Sequence, residues 1–136
     1  MRKVRAVISD FDGPINDSFF EGLQRIESIA RKNGVAVGKD ERRKLVDKWG
    51  TYGPVLMQEG FGVSKEMGHA LYREWEAYDE QHLISLVQGA REALEFNRSK
   101  GIMTTVLTSR NRKNILAVLE GLNIWEFISF VQTPQD

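Results

Sequence analysis

The sequence predicts an α/β protein: a partial parallel sheet with a helical block inserted after its first strand. Three observations carry this. Residues 4–9 form a short, β-branched apolar run that reads as a buried strand and ends in Asp10, Asp12 and a glycine turn. Residues 102–107 form a second apolar run, then a helical pattern, then a third run at 127–131. That β-α-β order implies parallel strands. Between the first and second runs, the long middle stretch keeps helical spacing.

Each element has its own signal. Ser18-Phe19-Phe20-Glu21 has capping-box spacing and predicts a helix start. Phe19, Leu23, Ile26 and Ala30 then recur at helical intervals, flanked by Phe20 and Ile29. Asn33-Gly34 closes this helix, because glycine accepts the left-handed terminal geometry. Asp40 predicts the cap of a second helix reaching Trp49. Residues 50–62 hold four glycines and Pro54, which predicts a loop or broken helix. Ser64 predicts the cap of a third helix, with Met67, Ala70 or Leu71, Trp75 and Tyr78 on one face. Residues 89–100 are amphipathic and stop at Gly101. Residues 111–120 are helical again, with Ile115, Leu116, Leu119 and Leu122 inward and Gly121 as the terminal signal. Thr133-Pro134 ends the last strand.

Composition sets the outer bounds. A length of 136 residues suits one modest domain, or a small domain with an insertion. The formal net charge is zero, so nothing points to nucleic acid as a partner. There is no cysteine, which excludes disulfides and thiolate metal sites. Met1 to Arg5 is basic, but the apolar run behind it is too short and too acidic for a signal peptide. No run approaches the roughly 20 apolar residues of a membrane span. The expectation is a cytoplasmic protein without a membrane partner.

The chemistry is concentrated in the first turn. Open parallel sheets bind ligands outside the carboxyl ends of their strands. Asp10 and Asp12 are two apart, so in extended chain they point to one side. Two anions that close need a cation or a shared proton. A hard, oxygen-preferring cation such as Mg2+ suits them.

The stretch from Val7 to Ser18 resembles motif I of the haloacid dehalogenase superfamily, Asp-x-Asp-Gly-x-hydrophobic-x-Asp-Ser. Gly101 to Arg110 resembles motif II, an apolar strand ending in Thr or Ser. Val87 to Leu94 resembles the helix start that leads into that strand in phosphoglycolate-phosphatase-like members. The resemblance implies a Rossmannoid core from residues 1–17 and 84–136, and a C1-type helical cap from residues 18–83. It implies Asp10 as the nucleophile that forms an aspartyl phosphate. Asp12 is implied as general acid, then general base. Mg2+ would be held by the Asp10 carboxylate and the Asp12 main-chain carbonyl. Gly13 would let the backbone turn around the phosphate, with Thr108 and Ser109 as its hydrogen-bond donors. Asp17 and Ser18 fall at the cap hinge. The second aspartate favours a phosphatase over a dehalogenase.

Plainer roles compete at several positions. Thr108-Ser109 could cap the helix that follows, and Asp17-Ser18 the first cap helix. His69 and His82 read as helix residues, exposed or packed, since two isolated histidines make a poor metal site. Trp49, Trp75 and Trp125 read as core. Residues 49–62 read as a connector more than as a substrate loop. Arg42-Arg43-Lys44 reads as a solvated face.

Two family features are not recognisable: the motif III lysine and the motif IV acidic pair. After Thr108 the only lysine is Lys113, and the only acids are Glu120, Glu126 and Asp136. Lys113 or Arg110 are the candidates to replace the lysine. A homo-oligomer or a missing C-terminal segment would complete the core. The expected function is a Mg2+-dependent phosphatase acting on a small phosphorylated metabolite. The alternatives are a catalytically incomplete module that binds or regulates, and a phosphomutase with the same cap type.

Overall fold

The computed structural model describes residues 3–136; Met1 and Arg2, part of the basic start, lie outside them. In chain order the elements are β1 Ala6–Asp10, α1 Phe19–Lys32, α2 Lys39–Asp47, α3 Gly53–Phe61, α4 Lys65–Gln81, α5 Ala90–Ser99, β2 Met103–Leu107, α6 Arg112–Gly121, a 3-10 turn Trp125–Phe127 and β3 Phe130–Gln132. The chain divides into two compact units, one of residues up to Ser18 with Leu83–Asp136, the other Phe19–His82.

The first unit is the α/β one. Its three strands lie in the order β1-β2-β3 and all run parallel. Asp10 pairs with Leu107, and Thr105 with Phe130. The buried cluster sets Val106 and Val131 of the sheet with Leu94 of α5, and Ile115, Val118 and Leu119 of α6. Phe11, Ile15, Ile124 and Ile128 complete it. The other sheet face is open: Ile8 is 72% exposed, and Met103, Leu107 and Phe130 are each about half exposed.

That open face corrects the expectation of a buried first strand. Residues 4–9 were expected inside, but Ala6, Ile8 and Asp10 are exposed and Val7 and Ser9 only half-buried. A parallel sheet is buried when both faces are covered, and here helices pack on one.

Two chain segments leave and re-enter this unit side by side. Asp17 N–H donates to the Ser85 carbonyl, Val87 N–H to Ile15, and Asn16 Nδ2 to Ile84 at 2.8 Å. They form a short two-stranded tie within this unit.

The second unit is helical. Leu23, Ile26 and Ala30 of α1 meet Leu45 of α2, Leu56, Met57 and Phe61 of α3, and Leu71, Tyr72 and Trp75 of α4. Ser64 caps α4, its hydroxyl accepting from Met67 N–H at 3.2 Å. Residues 53–61 form one continuous helix where glycine content predicted a loop or broken helix. The glycines serve packing instead: a Cβ at Gly53 would strike the Tyr72 ring, and one at Gly60 the Leu45 side chain. Gly62 supplies the left-handed end, at φ 64°. The α4 face also differs: Met67, Ala70 and Tyr78 are exposed, while Gly68, Leu71, Tyr72 and Trp75 are inside. Trp49 is half-buried and Trp75 buried, but Trp125, expected in the core, is 41% exposed. Its 3-10 turn directs Ile124 and Ile128 inward in its place.

Candidate active site

β1 and β2 are parallel neighbours, so their carboxyl ends lie together, and each hands its last residue to a polar turn. From β1 come Asp10 and Asp12; from β2 come Thr108, Ser109 and Arg110. The loop after β1 is tight. Ile15 and Asn16 N–H both donate to the Phe11 carbonyl, and Gly13 N–H to Asn16. Gly13 sits at φ 103°, a geometry that glycine adopts readily. Phe11, fully buried, anchors this loop in the core.

Asp10 is solvent-accessible, and one of its carboxylate oxygens accepts from Phe11 N–H at 2.7 Å. Partial burial raises its pKa above the ordinary carboxylate value. The charge of Asp12 adds to that rise. The N–H groups of Phe11 and Asp12 and the charge of Arg110 act against it.

Asp12 is held from two sides. Arg110 Nε donates to its Oδ2 at 2.9 Å and Arg110 Nη2 to its Oδ1 at 2.8 Å. Ser18 Oγ also donates to Oδ1, at 2.7 Å. Ser18, expected to cap α1, therefore spends its hydroxyl on a carboxylate, while Asp17 is exposed.

Thr108 is buried, its N–H donating to Gln132 at 3.1 Å and its Oγ1 accepting from Arg110 N–H at 3.2 Å. A hydroxyl that accepts one bond still has its own proton to give. Ser109 is half-buried beside it. Neither residue caps α6, whose N-cap is Asn111. Lys113 is exposed, and the Arg110 fork is taken up by Asp12 and Asn114. Of the two candidates for the motif III lysine, Arg110 is thus engaged with the Asp12 carboxylate. His69 is half-buried on α4, and His82 stacks on Tyr78 with ring centroids 4.0 Å apart. Among the described residues, no three His, Cys, Asp or Glu side chains cluster in a way that could hold a metal.

Oxygen donors of the kind that Mg2+ prefers are present at the turn, in the Asp10 carboxylate and the Asp12 carbonyl. The Asp12 carboxylate is committed to Arg110 and Ser18. Mg2+ commonly takes only one or two carboxylates and fills the rest of its shell with water and phosphate oxygens. The donor set thus fits such an ion in kind, as an open site and not a closed cage.

Arg110 and Asn114 were not assigned a structural role from sequence. The signal was an arginine two residues past Thr108, on the turn that faces the acidic one, with an asparagine one helical turn further on.

The model for haloacid dehalogenase-like hydrolases matches residues 7–136. No curated protein matches the chain. Among solved structures it is similar to a Thermotoga maritima protein described as a β-phosphoglucomutase, with 25% identity and a TM-score of 0.68, over 97% of this chain and 62% of that one. It is similar to a Haemophilus somnus protein described as a phosphoglycolate phosphatase, with 19% identity and a TM-score of 0.79, over 99% and 64%. It is also similar to a Bacillus subtilis protein described as a HAD-hydrolase bound to magnesium, with 14% identity and a TM-score of 0.69, over 99% and 67%. The chain spans less than two thirds of the length of the first two. With its α/β architecture and a family match over nearly its full length, the chain belongs to the haloacid dehalogenase-like hydrolases.

Proposed function

We propose that this chain carries the nucleophilic half of a Mg2+-dependent phosphatase acting on a small phosphorylated metabolite. One observation carries the reading most. Asp10 pairs with Leu107, so Asp10 and the turn that carries Thr108 lie at the same carboxyl ends of two adjacent parallel strands.

In the proposed reaction an Asp10 oxygen attacks phosphorus and the bond to the leaving oxygen breaks. Asp12 gives that oxygen a proton. Water then attacks the aspartyl phosphate and loses a proton to Asp12, which frees phosphate, restores the Asp10 carboxylate and returns Asp12 to its protonated form. Thr108 and Ser109 would donate to the phosphoryl oxygens and favour the charge that develops there. Gly13, without a side chain, leaves room for the phosphate near the backbone. Mg2+, held by Asp10 and the Asp12 carbonyl, would offset repulsion between the nucleophile and the phosphate. Water and phosphate oxygens would fill the rest of the ion's shell. The helical unit would be the cap and would favour small substrates by excluding bulky ones.

A phosphomutase is the second reading, favoured by the 25% identity to the Thermotoga maritima protein described as a β-phosphoglucomutase. Both readings share the aspartyl phosphate and differ in its acceptor, water or a second hydroxyl.

The test is hydrolysis of p-nitrophenyl phosphate with and without Mg2+, beside Asp10→Asn. Metal-dependent turnover that the variant loses supports the reading. Turnover that survives in Asp10→Asn rejects Asp10 as the nucleophile. Conversion of one sugar phosphate isomer into another would select the mutase.

A further inference from the structure

We propose that Arg110 is a positioning residue that fixes the Asp12 carboxylate for its proton-transfer role. This rests on the reading of Asp12 as general acid and base. Arg110 is the one lysine or arginine that is buried among the described residues, at 2% exposure. A guanidinium removed from water must have its donors met, and the donors of Arg110 are met in a fixed pattern. Nε and Nη2 grip the two Asp12 oxygens side by side, and Nη1 donates to Asn114 Oδ1 at 3.1 Å. The Arg110 guanidinium also lies over the Phe11 ring, 5.0 Å from its centroid. Phe11 thus supports the arginine from the loop that carries Asp12, and Asn114 holds it from α6.

Two parallel bonds do what one cannot: they set the plane of the carboxylate as well as its place. Ser18 supplies a third bond from the chain segment that leads into α1. A lysine would offer a point charge and could not hold both oxygens in one plane. Arg110 touches no reacting atom in this account. It acts through Asp12.

The test compares wild type, Arg110→Lys, Arg110→Met and Asn114→Ala on two substrates. p-Nitrophenolate leaves readily without a proton, whereas the alkoxide of β-glycerophosphate needs one. In Arg110→Met, kcat on β-glycerophosphate is expected to fall by about 100-fold, within the usual range for general acid–base catalysis. The fall on p-nitrophenyl phosphate is expected to be clearly smaller, with KM little changed on both. Arg110→Lys should recover part of the loss. Asn114→Ala keeps the charge pair and should show the same substrate bias, more weakly, if Arg110→Met does not fold. Equal losses on both substrates, or a raised KM with unchanged kcat, would overturn the proposal.

If the wild-type chain turns over neither substrate, the phosphatase reading fails for these 136 residues. The proton-transfer role then fails with it, and the Arg110 Nε–H resonance in 15N NMR tests separately the grip on Asp12 from which the proposal is argued. Slow exchange with solvent that is lost in Asp12→Asn and kept in Asp10→Asn supports that grip. Exchange as fast as that of surface arginines would overturn it, and the proposal with it.

Discussion

Gly53 abuts the ring of Tyr72 so closely that a Cβ built on the glycine would lie 1.9 Å from Tyr72 Cε2. Tyr72 cannot simply withdraw, because it stacks on Trp75 with centroids 5.6 Å apart and both rings are buried. The start of α3 is thus built around the absence of a side chain. Overpacking of this kind costs about 1–3 kcal/mol. Gly53→Ala is therefore expected to lower stability by that amount, although alanine is the better helix former. Urea denaturation followed by far-UV circular dichroism measures it, and an unchanged midpoint would contradict the packing.

The two faces of the sheet should answer differently to truncation. Leu119 is fully buried in the core cluster that includes Val106 and Val131, so Leu119→Ala should cost about 2–5 kcal/mol. Ile8 is 72% exposed, and Ile8→Ala should stay within about 0.5 kcal/mol. Similar losses for the two would mean that the Ile8 face is covered in solution.

Asp10 is a position where chemistry opposes stability. Its pKa is raised, chiefly by burial and then by the nearby charge of Asp12. A folded pKa above the unfolded one means that ionisation disfavours the fold. The stability is full below the ordinary carboxylate value near 3.8 and falls as pH rises through the folded value. Asp10→Asn avoids that loss. The variant is expected to melt higher than wild type at neutral pH and to match it in acid. Thermal melts from pH 3 to 7 test this, and a lower melting temperature for the variant at pH 7 would refute it.

Asp136 has the opposite sign. It accepts from Thr133 Oγ1 and Thr133 N–H, both at 2.8 Å, and pairs with Arg112 at 2.9 Å. The threonine bonds lower its pKa most, and Arg112 assists. Its contribution is present above the ordinary carboxylate value and is lost as pH falls through the lowered one. Asp136→Asn should therefore destabilise the turn after β3 at neutral pH and converge with wild type in acid. Hydrogen exchange at Thr133 N–H reads this locally, and equal exchange at pH 7 would count against it.

Several elements were legible because their signals are local. Gly34 ends α1 at φ 76°, and Ser64 caps α4. Gly121 looked like the same kind of signal but is not one. The left-handed residue there is Asn123, at φ 54°. Gly121 is small because a Cβ would lie 2.7 Å from Leu83 Cδ1. A backbone need and a packing need leave the same letter in the sequence, and only the neighbour tells them apart. The continuity of α3 was hidden for that reason: its glycines meet Tyr72 and Leu45, both distant in sequence.

The sequence by itself determined the α/β order, the parallel sense of the strands and the turns that carry Asp10, Asp12 and Thr108. These follow from short-range spacing, in which strand, glycine and acid are neighbours along the chain. Only the tertiary structure decided which sheet face is covered, and that Ser18 serves Asp12 in place of a helix end. It also decided that Arg110, 98 residues from Asp12, grips both of its oxygens. Such partners are chosen by geometry across the sheet, where a buried guanidinium must find its acceptors, and no spacing along the chain encodes that distance.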